Sequence, residues 1–323
     1  MDPVRALLVA FVGLVIGTLA GFFGVGGGFL LTPTLNVLGF PMVTAIGTSF
    51  AAIAGNSTVG VLRHRRLGNV APKLGVIIGL ISIAGVEIGK RLVLALEGWG
   101  LAGTYVRVGY IGLLSFISFW MLVGFFRRHR DKRRGTTEVQ DAPRGKFRSF
   151  ALPPVITFPR SEVPSVSLWV VVLSGLGIGF ISGFMGVGGG FVAFPLLVYL
   201  IGVPTRTAVG TSLLITLFSS SYGIAIYGLA GRVQWLMALV VLGGAVLGVQ
   251  VGARATRSVK GARIRVLFAL LLLAVTVSVL LKQMGTPHLS LYLLLISASL
   301  LASVIWSFLI IGLLRGRKAP CSP

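Results

Sequence analysis

Two stretches of this sequence place rarely combined residue types inside apolar runs. Gly24-Val25-Gly26-Gly27-Gly28-Phe29 and Gly186-Val187-Gly188-Gly189-Gly190-Phe191 each interrupt such a run, and each is followed by a proline, Pro33 or Pro195. Within hydrocarbon, non-helical backbone is tolerated only where protein buries it or it lines a cavity. A helix restarting near Gly28 or Gly190 would direct free N–H groups and its positive dipole end into that cavity. Such an end binds anions without a charged side chain. The backbones of Gly26, Gly27, Gly28, Gly188, Gly189 and Gly190 are therefore the first candidate ligands for an anionic substrate. The competing reading is that the glycines only let helices pack closely. A dinucleotide loop is excluded: it needs a strand before it and an acid about 20 residues on, and no acid follows at that distance.

Hydrogen-bonding side chains follow each glycine stretch. Thr48, Ser49 and Asn56 stand after the first, with Ser57 and Thr58 beside them; Thr211 and Ser212 stand after the second, with Thr216 and Ser219 to Ser221 beyond. Hydroxyls, Asn N–H and backbone N–H can all donate to an oxyanion, and neutral donors suit a carrier that must also release. The same residue types also back-bond to their own helix or join helices. Glu87 is the only carboxylate inside an apolar span. It is a candidate for proton coupling, or a partner for Lys90 or Arg91 one turn away. Arg206, beside the short segment that follows the second glycine stretch, is a candidate for an external entrance. His64, His129 and His288 fall in loops or at span ends, and the single cysteine, Cys321, lies in the polar tail. These offer no metal cluster, cofactor ligand set or activated nucleophile, so an enzyme is not expected.

The elements that must position these groups are membrane helices. Of 323 residues, 55% are hydrophobic and only 11% charged, against about 25% charged in soluble domains. Apolar runs of spanning length cover 6–23, 42–62, 108–126, 166–186, 208–231, 233–253 and 289–314, the last continuing into a basic tail; 74–96 is a further span interrupted by Glu87, Lys90 and Arg91, and 266–281 a shorter one. Residues 29–40 and 191–203 are too short to cross comfortably and read as half-helices. The formal charge of +22 is gathered in short clusters between spans, which orients a membrane chain and gives no reason to invoke nucleic acid.

The chain is an internal duplication. Beyond the glycine stretches, Thr44-Ala45-Ile46-Gly47-Thr48-Ser49 matches Thr207-Ala208-Val209-Gly210-Thr211-Ser212, and the register continues through Gly85/Gly248, Gly89/Gly252 and Arg91/Arg254; Gln250 is the mate of Glu87. The expected fold is an all-α polytopic membrane protein of two homologous repeats, 1–126 and 166–282. A basic linker, 127–165, joins them, and an extra span and tail, 283–323, follow. Equivalent loops carry opposite charge character: Arg63, Arg65 and Arg66 face uncharged mates, whereas Arg257 and Lys260 replace Leu94 and Glu97. That contrast suggests inverted repeats, with the N-terminus outside and the basic loops, linker and tail in the cytoplasm.

The duplicated Gly-Val-Gly-Gly-Gly-Phe, the proline and the later Gly-Thr-Ser together resemble the sulfite exporter TauE/SafE family, also called the 4-toluene sulfonate uptake permease family. The resemblance covers roughly residues 4–126 and 166–282. It implies a permease, expected to export, for sulfite, an organosulfonate or another sulfur-containing anion at the cytoplasmic membrane. A passive anion channel or a non-transporting scaffold is the alternative. Oligomeric state is not legible.

Overall fold

The computed structural model describes residues 3–133, 154–156 and 166–316. The expected spans are all helices. The first half comprises α1 (Pro3–Phe23), α2 (Gly28–Val37), α3 (Met42–Arg66), α4 (Pro72–Gly98) and α5 (Ala102–Arg133). The second comprises α6 (Leu168–Met185), α7 (Gly190–Pro195), α8 (Thr205–Leu229), α9 (Trp235–Ala255) and α10 (Gly261–Gln283), and α11 (Pro287–Gly316) closes the described chain. Seven of these helices are long and apolar enough to cross a membrane.

The half-helices are short because glycine and proline bound or bend them. Gly27 and Gly189 cap α2 and α7 at φ 90° and 75°, a left-handed conformation open to glycine at little steric cost. After Pro195, α7 passes into a π-helical turn, Leu196–Ile201. Such irregular turns accommodate the N–H that proline lacks. The first half departs from expectation at its end: α5 continues through Arg133, seven residues into the expected linker. Its basic residues are good helix formers and nothing before residue 133 breaks the helix. A two-residue ladder, β1 (Val155–Ile156) with β2 (Val166–Ser167), precedes α6. The rest of the expected linker (134–153, 157–165) and the tail from 317, including Cys321, lie outside the described residues.

Each half lends its first helix to the other. A Cβ added to Gly13, Gly17 or Gly21 of α1 would lie 2.2–2.3 Å from the carbonyl oxygens of Val241, Ala245 and Val249 on α9. The mates Gly179 and Gly183 of α6 approach Ser82 and Val86 of α4 at 2.0 and 2.2 Å. Both registers ascend together, so α1 runs parallel to α9 and α6 to α4. The equivalent helices α3 and α8 instead cross antiparallel: Gly60 faces Leu213 and Gly223 faces Phe50. Small residues let these backbones nearly touch, which lets van der Waals packing hold helices together in lipid. Phe29 stacks on its mate Phe191 at 6.3 Å, and Phe268 packs edge-on to Phe29 and Phe194.

Candidate functional site

The two glycine stretches cross at the centre of the molecule. A Cβ on Gly28 would lie 2.8 Å from Val187 Cα, and one on Gly190 would lie 2.7 Å from Val25 Cα. Gly26 and Gly188 both face Ile53 of α3 and its mate Thr216 of α8. All six candidate glycines are buried.

Side chains hold the loop carbonyls in matched pairs. Ser212 donates to Gly24 O at 2.6 Å, while Thr32 lies 2.9 Å from Gly186 O and 2.8 Å from Ser49 Oγ. Asn56 Nδ2 approaches Gly26 O at 3.5 Å, and its mate Ser219 donates to Gly188 O at 2.7 Å. With carbonyls engaged, the loops retain donors. The first bonds of α2 run from Leu30 and Leu31 to Gly27 O, and those of α7 from Val192 and Ala193 to Gly189 O. The N–H groups of Gly28, Phe29, Gly190 and Phe191 precede those bonds and have no intrahelical partner.

Unpartnered side-chain atoms gather at the same crossing. Ser57 Oγ, Thr216 Oγ1 and Asn56 Oδ1 are buried without a hydrogen-bond partner. A Cβ on Gly26 would lie 3.2 Å from Ser57 Oγ, and one on Gly190 would lie 2.6 Å from Thr216 Oγ1. Buried polar atoms are nearly always paired, so a cluster of orphans calls for an absent partner. The crossing is closed in this conformation, since Ile53 and Thr216 fill the space above Gly26 and Gly188.

Thr48 and Thr211 sit one layer out, in a matched role. Thr48 Oγ1 accepts the N–H of Gln234 at 3.0 Å, and Thr211 Oγ1 that of Ala71 at 2.9 Å. Gln234 and Ala71 are the residues before α9 and α4, so each threonine anchors the start of a helix in the opposite half. Glu87 accepts from Lys90 at 2.9 Å, from Arg91 at 2.8 Å and from Tyr222 of α8 at 3.0 Å. It thus ties α4 to α8 away from the glycine crossing.

The ends of the helices define two faces. On one, Glu97 pairs with Arg232 at 3.1 Å, and Arg107 donates to Gln283 Oε1 at 2.6 Å. There a shallow, open-sided hollow is lined by Pro33, Asn36, Arg107, Tyr110 and Lys282; the Lys282 amine donates to Asn36 O. On the other face Arg206 donates to the carbonyls of Arg257 and Val259. The sequence reading put Arg206 at an external entrance and the Arg254–Arg265 turn in the cytoplasm. The two share one face, so both placements cannot hold.

Among the described residues no three His, Cys, Asp or Glu side chains gather as metal ligands. Sequence reasoning passed over Tyr222, Lys282 and the buried His64. Tyr222 lies unremarked inside an apolar span and Lys282 just beyond one, and His64 was placed only among histidines in loops or at span ends.

The profile of the family described as sulfite exporter TauE/SafE matches residues 9–279. A probable membrane transporter protein, YunE, of Bacillus subtilis is 26% identical, covering 83% of this chain and 95% of its own length. A probable membrane transporter protein of Xylella fastidiosa is 28% identical, covering 83% and 92%. The sulfite exporter TauE/SafE family protein 2 of Arabidopsis thaliana is 28% identical, over 47% of this chain and 30% of its own. No solved structure matches the chain significantly.

Proposed function

This chain belongs to the sulfite exporter TauE/SafE family and is a multi-pass membrane transporter, and from that premise we propose that it is a secondary carrier, in the exporting direction, for a small sulfur-containing oxyanion at the cytoplasmic membrane. The observation that carries this reading is the pair of unpartnered buried hydroxyls of Ser57 and Thr216 where the two helix starts meet. An SO₃ group presents three acceptor oxygens. The hydroxyls of Ser57 and Thr216 and the N–H groups at Gly28 and Gly190 are donors for them, and neutral donors bind such a group without trapping it. Gly26, Gly27, Gly188 and Gly189 set the loop shape, and Ser212 and Thr32, the latter backed by Ser49, hold its carbonyls aside.

Transport requires the closed crossing to open alternately to each face. The antiparallel packing of α3 against its own mate α8 supports inverted repeats rocking about that crossing. The Arg63–Lys73 and Arg254–Arg265 segments contain no Asp or Glu, which favours a cytoplasmic location for both and for Arg206.

Purified protein in proteoliposomes tests the function with sulfite, thiosulfate and methanesulfonate, with and without a pH gradient. We expect saturable flux of at least one anion, and an elevated melting temperature with the same anion. Absence of both for all three would overturn the reading; non-saturable conduction would indicate a channel.

A further inference from the structure

The two repeats clamp the helices leading into their glycine stretches in the same way with different chemistry. His64 Nε2 lies 2.9 Å from Gly21 O, and Tyr227 donates its hydroxyl to Gly183 O at 2.8 Å. His64 and Tyr227 are repeat mates, as are Gly21 and Gly183. Both side chains are fully buried. Each fixes the last turn of a helix, α1 or α6, just before its glycine stretch. A phenol stays neutral throughout the physiological range, whereas an imidazole changes charge between about pH 5 and 8. His64 Nδ1, moreover, is buried without a hydrogen-bond partner, so the neutral ring has a vacant proton acceptor.

The surroundings single out this imidazole. Burial, and then the charge of Arg63 on its own helix, oppose a second proton on this ring in the closed packing; Arg254, Arg66 and Arg257 act in turn on Arg63. Residues 9–23 of α1 and all of α2 contain no titratable group. Glu87, Lys90 and Arg91 of α4 form their own cluster with Tyr222 of α8, and Arg107 and Tyr110 of α5 bond Gln283 and Met185.

We propose that His64 is a proton-binding site coupled to the anion site, reached from the face that carries Arg63 and Arg254. A proton from solvent adds to Nδ1, converting a neutral clamp into a cationic one at the turn that leads into Gly24–Gly28. The added charge favours an anion at the crossing and disfavours the cation-crowded closed packing. Tyr227 gives the opposite face no such response, so proton control acts on one face only. This inference rests on the transporter reading above.

The test uses His64→Tyr, which copies the mate position, and His64→Gln, which keeps a neutral N–H donor. Methanesulfonate and thiosulfate serve as probes because their charge is constant over this pH range. Wild-type flux and anion affinity should rise as pH falls through the imidazole titration; both variants should still transport, with pH dependence flattened by about 5-fold or more. Protein carrying His129→Gln and His288→Gln and ¹⁵N-labelled histidine reports His64 alone. Saturating methanesulfonate should shift its titration by the same factor. Flux with unchanged pH dependence in either variant, or an imidazole titration indifferent to a bound anion, would overturn the role of His64. Wild-type protein without flux of any anion would instead overturn the transporter reading.

Discussion

At the scale of single residues, the crossing separates groups that shape the site from groups that remain to bind. Thr216→Val keeps the volume facing Gly26 and Gly188 and removes one unpartnered hydroxyl. Loss of one donor to an anion costs about 1.5–3 kcal/mol, so we expect KM for the transported anion to rise roughly 10- to 100-fold with the melting temperature of the free protein nearly unchanged. Thr48→Val should behave oppositely. It removes the acceptor for the Gln234 N–H, lowering stability by about 1–2 kcal/mol, with the change in KM small once folded protein is compared. Paired flux and thermal-unfolding measurements distinguish the two. The sequence could not make that distinction. Gly-Thr-Ser in both halves marks Thr48, Ser49, Thr211 and Ser212 as polar and matched, but a hydroxyl facing a helix start in the other half has the same sequence signature as one facing a substrate. His64 and Tyr227 were hidden for the converse reason: equivalent in place, they differ in type.

At the scale of elements, much was legible because glycine spacing is a physical code. Gly13, Gly17 and Gly21, with their mates, recur every four residues, which in a helix is one face. That spacing is a signal of close helix contact on α1 and α6, though the repeat comparison made no use of it. Which helix would fill it was not legible, since the partner contributes carbonyl oxygens, which every residue has. Gly177 and Gly179 on α6 make a controlled comparison. A Cβ on Gly179 would lie 2.0 Å from Ser82 O, whereas one on Gly177 would meet nothing within 4 Å. Gly179→Ala must push α6 away from α4, costing about 1–3 kcal/mol by overpacking, and should lower the melting temperature and the yield of monodisperse protein. Gly177→Ala should leave both unchanged or slightly higher, because alanine is the better helix former. Equal losses in both variants would mean that helix flexibility, and not close approach, is what the glycines supply.

At the scale of the whole molecule, orientation joins the sequence and the geometry. The charge contrast between equivalent loops suggested inversion, and the antiparallel crossing of α3 and α8 supports it by a route independent of charge: two mates packed antiparallel across a membrane have their C-terminal ends on opposite sides. Arg66 and Leu229 are mates at those ends, and both are exposed. With Cys321 replaced by Ser, Leu229→Cys should react with a membrane-impermeant maleimide in intact cells, and Arg66→Cys only after permeabilisation. Labelling of both from the same side would end the inverted arrangement, and with it any rocking about a central crossing. The same orientation assigns a role to the hollow beside Lys282. It would lie outside, two cations over the C-terminal end of α2, and the Lys282–Asn36 contact would tie α10 to the half-helix whose other end forms the anion site. Lys282→Ala should then slow flux by loosening that tie while leaving anion affinity measured by thermal shift within about 3-fold. A larger affinity loss would place the amine on the substrate itself.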